Sequence, residues 1–69
     1  MWTILSKETW PPSGYCWLRT AGGDYAADLV AVDDRSIAFF GSEEDIEYAS
    51  RDLTMYEWHP LVEPLTKPS

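Results

Sequence analysis

Three runs of apolar and aromatic residues, separated by short turn sequences, constrain the fold of this chain most. The runs cover residues 15–20, 25–32 and 36–40, and their content of valine, isoleucine, tyrosine and phenylalanine is typical of strands. Paired glycines within residues 21–24 permit the positive φ of a hairpin turn, and residues 33–35 form a short polar connection. The sequence therefore predicts an antiparallel meander of three strands.

The segment 42–53 has a different period and predicts one short helix. Ser42 is a favoured N-cap residue, and the acids that follow it suit the positive end of a helix dipole. At 100° per residue, one narrow face of this helix holds Ile46, Ala49 and Leu53. That apolar stripe is expected to dock on the sheet, which leaves a broad acidic arc in water.

The expected fold class is α+β, a small antiparallel sheet of three to four strands with one short helix packed on it. The fourth strand is expected at residues 54–59 and ends at Pro60. The chain, 1–69, is interpreted as a single small domain with an irregular N-terminal arm at about 1–14 and a Pro-containing C-terminal tail at about 60–69. A chain this short buries only about 60% of the surface that its unfolded form exposes.

Twelve acidic residues against five basic ones give the chain a net charge of −7. A negative field over so small a body opposes direct binding of nucleic acid or of an anionic membrane. It favours a basic protein partner, or serves only solubility. The single cysteine, and the absence of a signal peptide or of an apolar run of roughly 20 residues, predict a soluble cytoplasmic protein without an internal disulfide.

Few residues in the sequence suggest catalysis or metal binding. Cys16 and His59 are the single cysteine and histidine, and no Asn or Asp pattern of a known hydrolase accompanies them. The residues after Asp33 lack the glycine and glutamate offsets of a calcium loop, and one cysteine with one histidine does not make a zinc site. We therefore expect no enzyme, no catalytic residue, no metal and no cofactor.

The distribution of carboxylates is the feature that remains as a candidate binding site. On the predicted helix, residues three or four apart would bring Glu43, Glu44 and Glu47 into one negative ridge. Duplex DNA carries one charge per about 1.7 Å of axis, so such a ridge could occupy the basic groove of a DNA-binding protein. The alternative, that the acids serve helix capping and solubility, stays open. The candidate partner-binding residues are Glu43, Glu44, Asp45, Glu47, Asp52, Asp24, Asp28, Asp33 and Asp34, with Asp28 expected on the outward face of the second strand.

Several stretches resemble a small phage-borne domain family of uncharacterised function. They are Trp2 with Ser6 and Glu8, the turn Pro11-Pro12-Ser13-Gly14, and the closing Trp58-His59-Pro60-Leu61-Val62-Glu63-Pro64. That family opens with a Trp-containing segment and a Pro-x-x-Gly turn, and closes with a His-Trp-x-Pro-Leu-Pro-Glu-Pro-like tail. Here the order is Trp58-His59, and Val62 stands where proline is usual. The resemblance implies an α+β meander and a phage or mobile-element origin.

In size and acidity the chain is also similar to the short acidic anti-CRISPR proteins, with a type I-C system as the suspected target. This resemblance implies a non-enzymatic inhibitor that mimics DNA at a basic surface of the CRISPR effector complex. The implied partner is a basic DNA-binding protein, a subunit of a type I Cascade, in the cytoplasm of a bacterial host. No direct nucleic acid or membrane contact is expected, and a monomer is favoured. The alternative is a phage accessory or structural interaction domain, whose strand edges or aromatics mediate assembly and whose acidity serves solubility.

Overall fold

The computed structural model describes residues 2–22 and 26–61, which form one curled antiparallel sheet of six strands. The strands are β1 Thr3–Ile4, β2 Gly14–Thr20, β3 Asp28–Val32, β4 Ser36–Phe39, β5 Asp45–Glu47 and β6 Tyr56–Pro60. Their order across the sheet is β1-β6-β2-β3-β4-β5. The helical structure in the described part of the chain is one 3₁₀ turn, Leu53–Met55.

The predicted meander is confirmed, because β2, β3 and β4 are consecutive antiparallel neighbours. The predicted fourth strand is present as β6, and it pairs with β2 on one side and β1 on the other. β1 lies inside the segment that was expected to be irregular. Two edges result, β1 at one end of the sheet and β5 at the other.

The predicted α+β class and the helix over residues 42–53 are wrong. The segment forms a turn, the edge strand β5 and a second turn before the 3₁₀ turn. The hydroxyl of Ser42 does accept the backbone N–H of Glu44, at 3.1 Å, but the same bond closes a turn as well as it caps a helix. The chain then extends, and Ile46 is buried opposite Ile37 of β4.

Charge and pairing explain why the strand is favoured over the helix. A helix would place Glu43 and Glu44 one turn from Glu47, and like charges at that spacing are destabilising. In β5 the backbone instead gains hydrogen bonds to β4 while Ile46 enters the core. Ala49, which the helical wheel placed on the apolar face, is exposed. Because this helix is absent, the α+β fold that the family resemblance implied is also wrong.

One side of the sheet, the inner face, carries the core. Directly opposed residues of antiparallel strands point to the same side, and the pairs Cys16 with Val30 and Val32 with Ile37 are all buried. The core cluster comprises Leu5, Cys16, Leu18, Val30, Val32, Ile37, Ile46 and Leu53. The opposite side, the outer face, is therefore the one that the sheet presents to its surroundings.

The connection between β1 and β2, residues 5–13, covers the inner face. Leu5 and Pro11 in this connection are fully buried, and Trp10 packs against the core cluster. Tyr48, which follows β5, meets the Trp10 ring edge-on with 5.0 Å between centroids. An irregular segment thus takes the place that a helix was expected to fill.

Two indole hydrogen bonds fix this connection to the sheet. The indole N–H of Trp10 donates to the backbone carbonyl of Asp33 at 2.8 Å. The indole N–H of Trp58, on β6, donates to the backbone carbonyl of Thr9 at 2.8 Å. Each bond joins residues more than twenty positions apart in sequence and so ties the connection to the sheet.

We expect Trp10→Phe to lower the free energy of unfolding by about 1 kcal/mol more than Trp17→Phe does. Both changes remove the same atoms, but the indole N–H of Trp17 has no acceptor among the described residues, whereas that of Trp10 has one. Urea denaturation followed by far-UV circular dichroism measures the difference. Equal losses for the two variants would show that the bond to Asp33 contributes nothing to stability.

Candidate functional site

The negative charge is concentrated in residues 33–52, which we call the acidic segment. Its seven acids and two arginines give it a net charge of −5, out of −7 for the whole chain. It runs from the β3–β4 turn through β4 and β5 to the start of the 3₁₀ turn. All seven acids are exposed: Asp33, Asp34, Glu43, Glu44, Asp45, Glu47 and Asp52.

The edge strand β5 presents two of these acids on the outer face. Asp45 and Glu47 flank Ile46, and because Ile46 points inward, its two neighbours point outward. Glu43 and Glu44 lie in the turn just before the strand. The continuous helical ridge expected for Glu43, Glu44 and Glu47 is therefore absent, and the same carboxylates are spread along a turn and a sheet edge.

The acids of the acidic segment form no ion pair within the described part of the chain. The ion pair that the described residues do form joins Arg19 and Glu57, outside the acidic segment, with 2.5 Å between Nε and Oε1. It lies on β2 and β6, and the guanidinium of Arg19 sits 3.9 Å from the centroid of the Trp2 ring. Arg35 and Arg51, although within the acidic segment, form no ion pair with the described acids. Apart from that of Asp33, the carboxylates there are left to solvent or to a partner.

Asp33 has a structural role in the β3–β4 turn. Its Oδ1 accepts the backbone N–H groups of Arg35 at 2.7 Å and Ser36 at 2.8 Å. These bonds, that from Arg35 foremost, lower the pKa of Asp33 because they stabilise its charged form. The neighbouring Asp34 makes no such bond among the described residues. Of the two turn acids, only Asp34 has a carboxylate that the fold does not use.

We expect Asp33→Ala to lower the melting temperature at neutral pH, with a difference from wild type that shrinks in acid. A carboxyl whose pKa is lowered by folding contributes stability above its unfolded-state pKa and loses it as the pH falls through the folded-state pKa. Thermal melts between pH 7 and pH 2 test this, with Asp34→Ala as the control. A difference that is the same at both ends of the range would contradict the assignment.

Asp28 is not on the outward face, where the sequence placed it. It pairs with the buried Leu18 and shares the inner side of β3 with Val30, yet it is exposed. Asp28 there lines an open cleft of about 610 Å³. The other lining residues are Leu29, Phe39, Phe40, Ser42 and Glu44. The register of the sheet thus joins two predicted acids, Asp28 and Glu44, in one cavity.

Several predicted features lie outside the described residues. In the β2–β3 connection they are Asp24 and, with it, the second half of the hairpin turn expected in residues 21–24. At the other end they are most of the Pro-containing tail expected at about 60–69 and the part of the closing motif from Val62 onward, on which the family resemblance partly depends.

Cys16 and His59 lie on opposite faces of the sheet and cannot act as a nucleophile and its base. Cys16 pairs with Pro60 and is buried in the core, while His59 pairs with Trp17 on the outer face. Burial raises the pKa of the Cys16 thiol to about 11, which keeps the thiol protonated. The ring of His59 meets that of Trp2 edge-on, with 5.4 Å between ring centroids.

A patch of exposed aromatics on the outer face was not identified from the sequence. Tyr15 and Phe40 stack with 5.9 Å between ring centroids and an interplanar angle of 21°, although they are 60% and 59% exposed. The alternation of side chains along β2 could have predicted part of this patch, because Tyr15 and Trp17 must lie on the face opposite Cys16. We call Tyr15 and Phe40 the aromatic pair.

No protein-family model matches this chain, and neither curated proteins nor solved structures give a significant match. Within residues 2–22 and 26–61, no group of three or more His, Cys, Asp or Glu side chains is arranged to hold a metal ion. The same residues contain no helix long and apolar enough to cross a membrane. The function must therefore be inferred from the acidic segment, the cleft and the aromatic pair.

Proposed function

We propose that this protein is a non-enzymatic inhibitor that uses its acidic segment to mimic DNA and to block a basic DNA-recognition surface. The observation that carries the proposal is the set of seven exposed carboxylates in residues 33–52 without an ion-pair partner in the described chain. Carboxylates, like phosphates, accept charge-assisted hydrogen bonds from arginine and lysine. A surface built to meet the charge density of duplex DNA offers many such donors.

The spacing of the acids supports a surface made of the edge strand and the turn together. Alternate residues of a strand lie roughly 7 Å apart, which is the separation expected along the chain for Asp45 and Glu47. Each DNA strand carries one phosphate per about 3.4 Å of axis, so β5 alone is sparser in charge than DNA. Glu43 and Glu44 add the charge that brings this edge closer to the density of a phosphate backbone.

Within this proposal the target is a type I-C CRISPR effector complex, in the cytoplasm of a bacterial host. The support is the similarity in size and acidity to short anti-CRISPR proteins, together with a charge distribution suited to a DNA-binding subunit. Inhibition of this kind needs only occupancy of the surface. The protein's binding to the basic surface should weaken as salt rises, because mobile ions screen the attraction between the carboxylates and the lysines and arginines of that surface.

The triple variant Glu43→Lys, Glu44→Lys and Glu47→Lys should lose inhibition by at least about tenfold, since each reversal replaces an attraction of up to about 1 kcal/mol by a repulsion. The measurement is a gel-shift assay of target duplex with a purified type I-C effector complex, at low and at physiological salt. Wild type should displace DNA, and its own direct binding to the effector complex, measured without DNA, should be weaker at the higher salt.

Two single variants that change the net charge equally test whether the position of the charge matters for inhibition. Glu47→Lys should weaken inhibition more than Glu8→Lys, which changes the charge equally but lies outside the acidic segment. Circular dichroism checks that each variant folds. A folded triple variant that inhibits as well as wild type, or a wild type that leaves DNA bound at both salt concentrations, would refute the proposal.

A second candidate function, assembly with further copies of this chain, is favoured by the aromatic pair. Both rings of the pair are largely exposed, Tyr15 by 60% and Phe40 by 59%. An exposed apolar patch of this kind marks many interaction surfaces. In this case the acids would serve solubility, and the protein would be an accessory or structural domain.

If the second candidate is correct, wild type should be oligomeric and the double variant Tyr15→Thr and Phe40→Thr monomeric. Threonine suits the strands but removes the rings. Sedimentation equilibrium at low and high salt gives the mass, and association through apolar contacts should not weaken as salt rises. A wild type that is monomeric at all concentrations tested would exclude this candidate.

A further inference from the structure

We infer that the cleft bounded by Asp28, Phe40 and Glu44 binds an arginine side chain of the basic partner. This inference rests on the proposed function and names a contact within it. The cleft has a volume of about 610 Å³, within the range of about 300 to 1,000 Å³ that is usual for ligand-binding clefts. It therefore has room for one long side chain together with part of the backbone that carries it.

The two carboxylates of the cleft are available to a cation. Asp28 comes from the start of β3 and Glu44 from the turn before β5, so the sheet brings them together from positions sixteen residues apart in sequence. Neither side chain forms a hydrogen bond or an ion pair among the described residues. A guanidinium can donate two parallel hydrogen bonds to a carboxylate, and the cleft contains two carboxylates.

The apolar walls of the cleft explain why arginine fits better than a small cation. Leu29, Phe39 and Phe40 supply apolar surface for the methylene groups of the side chain. The Phe40 ring also stacks on Tyr15. Arginine stacks on aromatic faces and is more weakly hydrated than lysine, so a cleft that joins carboxylates to phenyl rings should prefer it.

The chain already holds one arginine in the same way. Arg19 lies 3.9 Å from the ring centroid of Trp2 and donates from Nε to Glu57 at 2.5 Å. An aromatic ring and a carboxylate together fix this guanidinium on the outer face. The cleft offers the same two kinds of group, a phenyl ring and carboxylates, without a cation from the described chain to fill it.

The test is a titration of the ¹⁵N-labelled protein with N-acetyl-arginine methylamide, followed by ¹H–¹⁵N correlation spectra. We expect saturable shifts of the backbone amides of Leu29, Phe40 and Glu44, and weaker binding of the lysine analogue. The neutral norleucine analogue should cause no saturable shift. The double variant Asp28→Asn and Glu44→Gln should weaken arginine binding by at least about tenfold, which corresponds to about 1.4 kcal/mol.

The matched control is Asp45→Asn with Glu47→Gln, which removes the same charge from β5 outside the cleft. It should change the arginine affinity by less than about twofold, because exposed charges at a distance contribute little. Phe40→Leu, which keeps an apolar wall but removes the ring, should abolish the preference for arginine over lysine. The spectra themselves report whether each variant remains folded.

Three results would overturn the inference: equal shifts with the norleucine analogue, equal weakening of arginine binding by the two double variants, each of which removes two negative charges, or no saturable binding of the arginine analogue. The assay contains no partner protein, so its failure leaves DNA displacement by the acidic segment standing. Conversely, failure to displace DNA from the effector complex, with arginine binding intact, would refute the proposed function and leave the cleft as a site for a different basic partner.

Discussion

The apolar inner face of the sheet has to be removed from water, and the connection of residues 5–13 does this. No helix lies over the described sheet, so burial of Leu5, Trp10 and Pro11 against the core replaces the usual second layer. Such a connection is irregular and gains little from its own backbone, and its position depends on the indole bonds of Trp10 and Trp58. The fold is stable only if this cover stays in place.

Because the inner face is covered in this way, the outer face and the β5 edge remain for interaction. Edge strands invite pairing with other chains, and outward charges discourage it. This protection accounts for Asp45 and Glu47, which flank the single buried residue of β5. It does not account for Glu43 and Glu44, which lie in a turn where no ladder could be extended. The surplus of charge that argues for a partner therefore lies in the turn beside the cleft.

The sequence predicted the elements that local residue patterns determine, but not the features that depend on how the strands pair. The strands β2, β3 and β4 follow from the alternation of their residues. The hydroxyl of Ser42 accepts the backbone N–H of Glu44, and such a bond occurs both at the start of a helix and in a turn. A single apolar residue such as Ile46 is likewise compatible with the period of a helix and with that of a strand. What decides for the strand is the pairing with Ile37, which is not local. Asp28 and Glu44 were each identified as candidates, but only the sheet register puts both in one cleft.

A diffuse acidic surface and a specific cleft would contribute different parts of one recognition event. At physiological salt, charge interactions through water are screened over about 8 Å, so the acidic segment can steer a basic partner but does little to fix its orientation. A guanidinium that bonds to the carboxylates of Asp28 and Glu44 beside the ring of Phe40 is held by directional hydrogen bonds. Many acidic proteins could provide the first contribution. The second depends on an aromatic ring beside two unpaired carboxylates, and that arrangement would let a domain this small discriminate among basic surfaces.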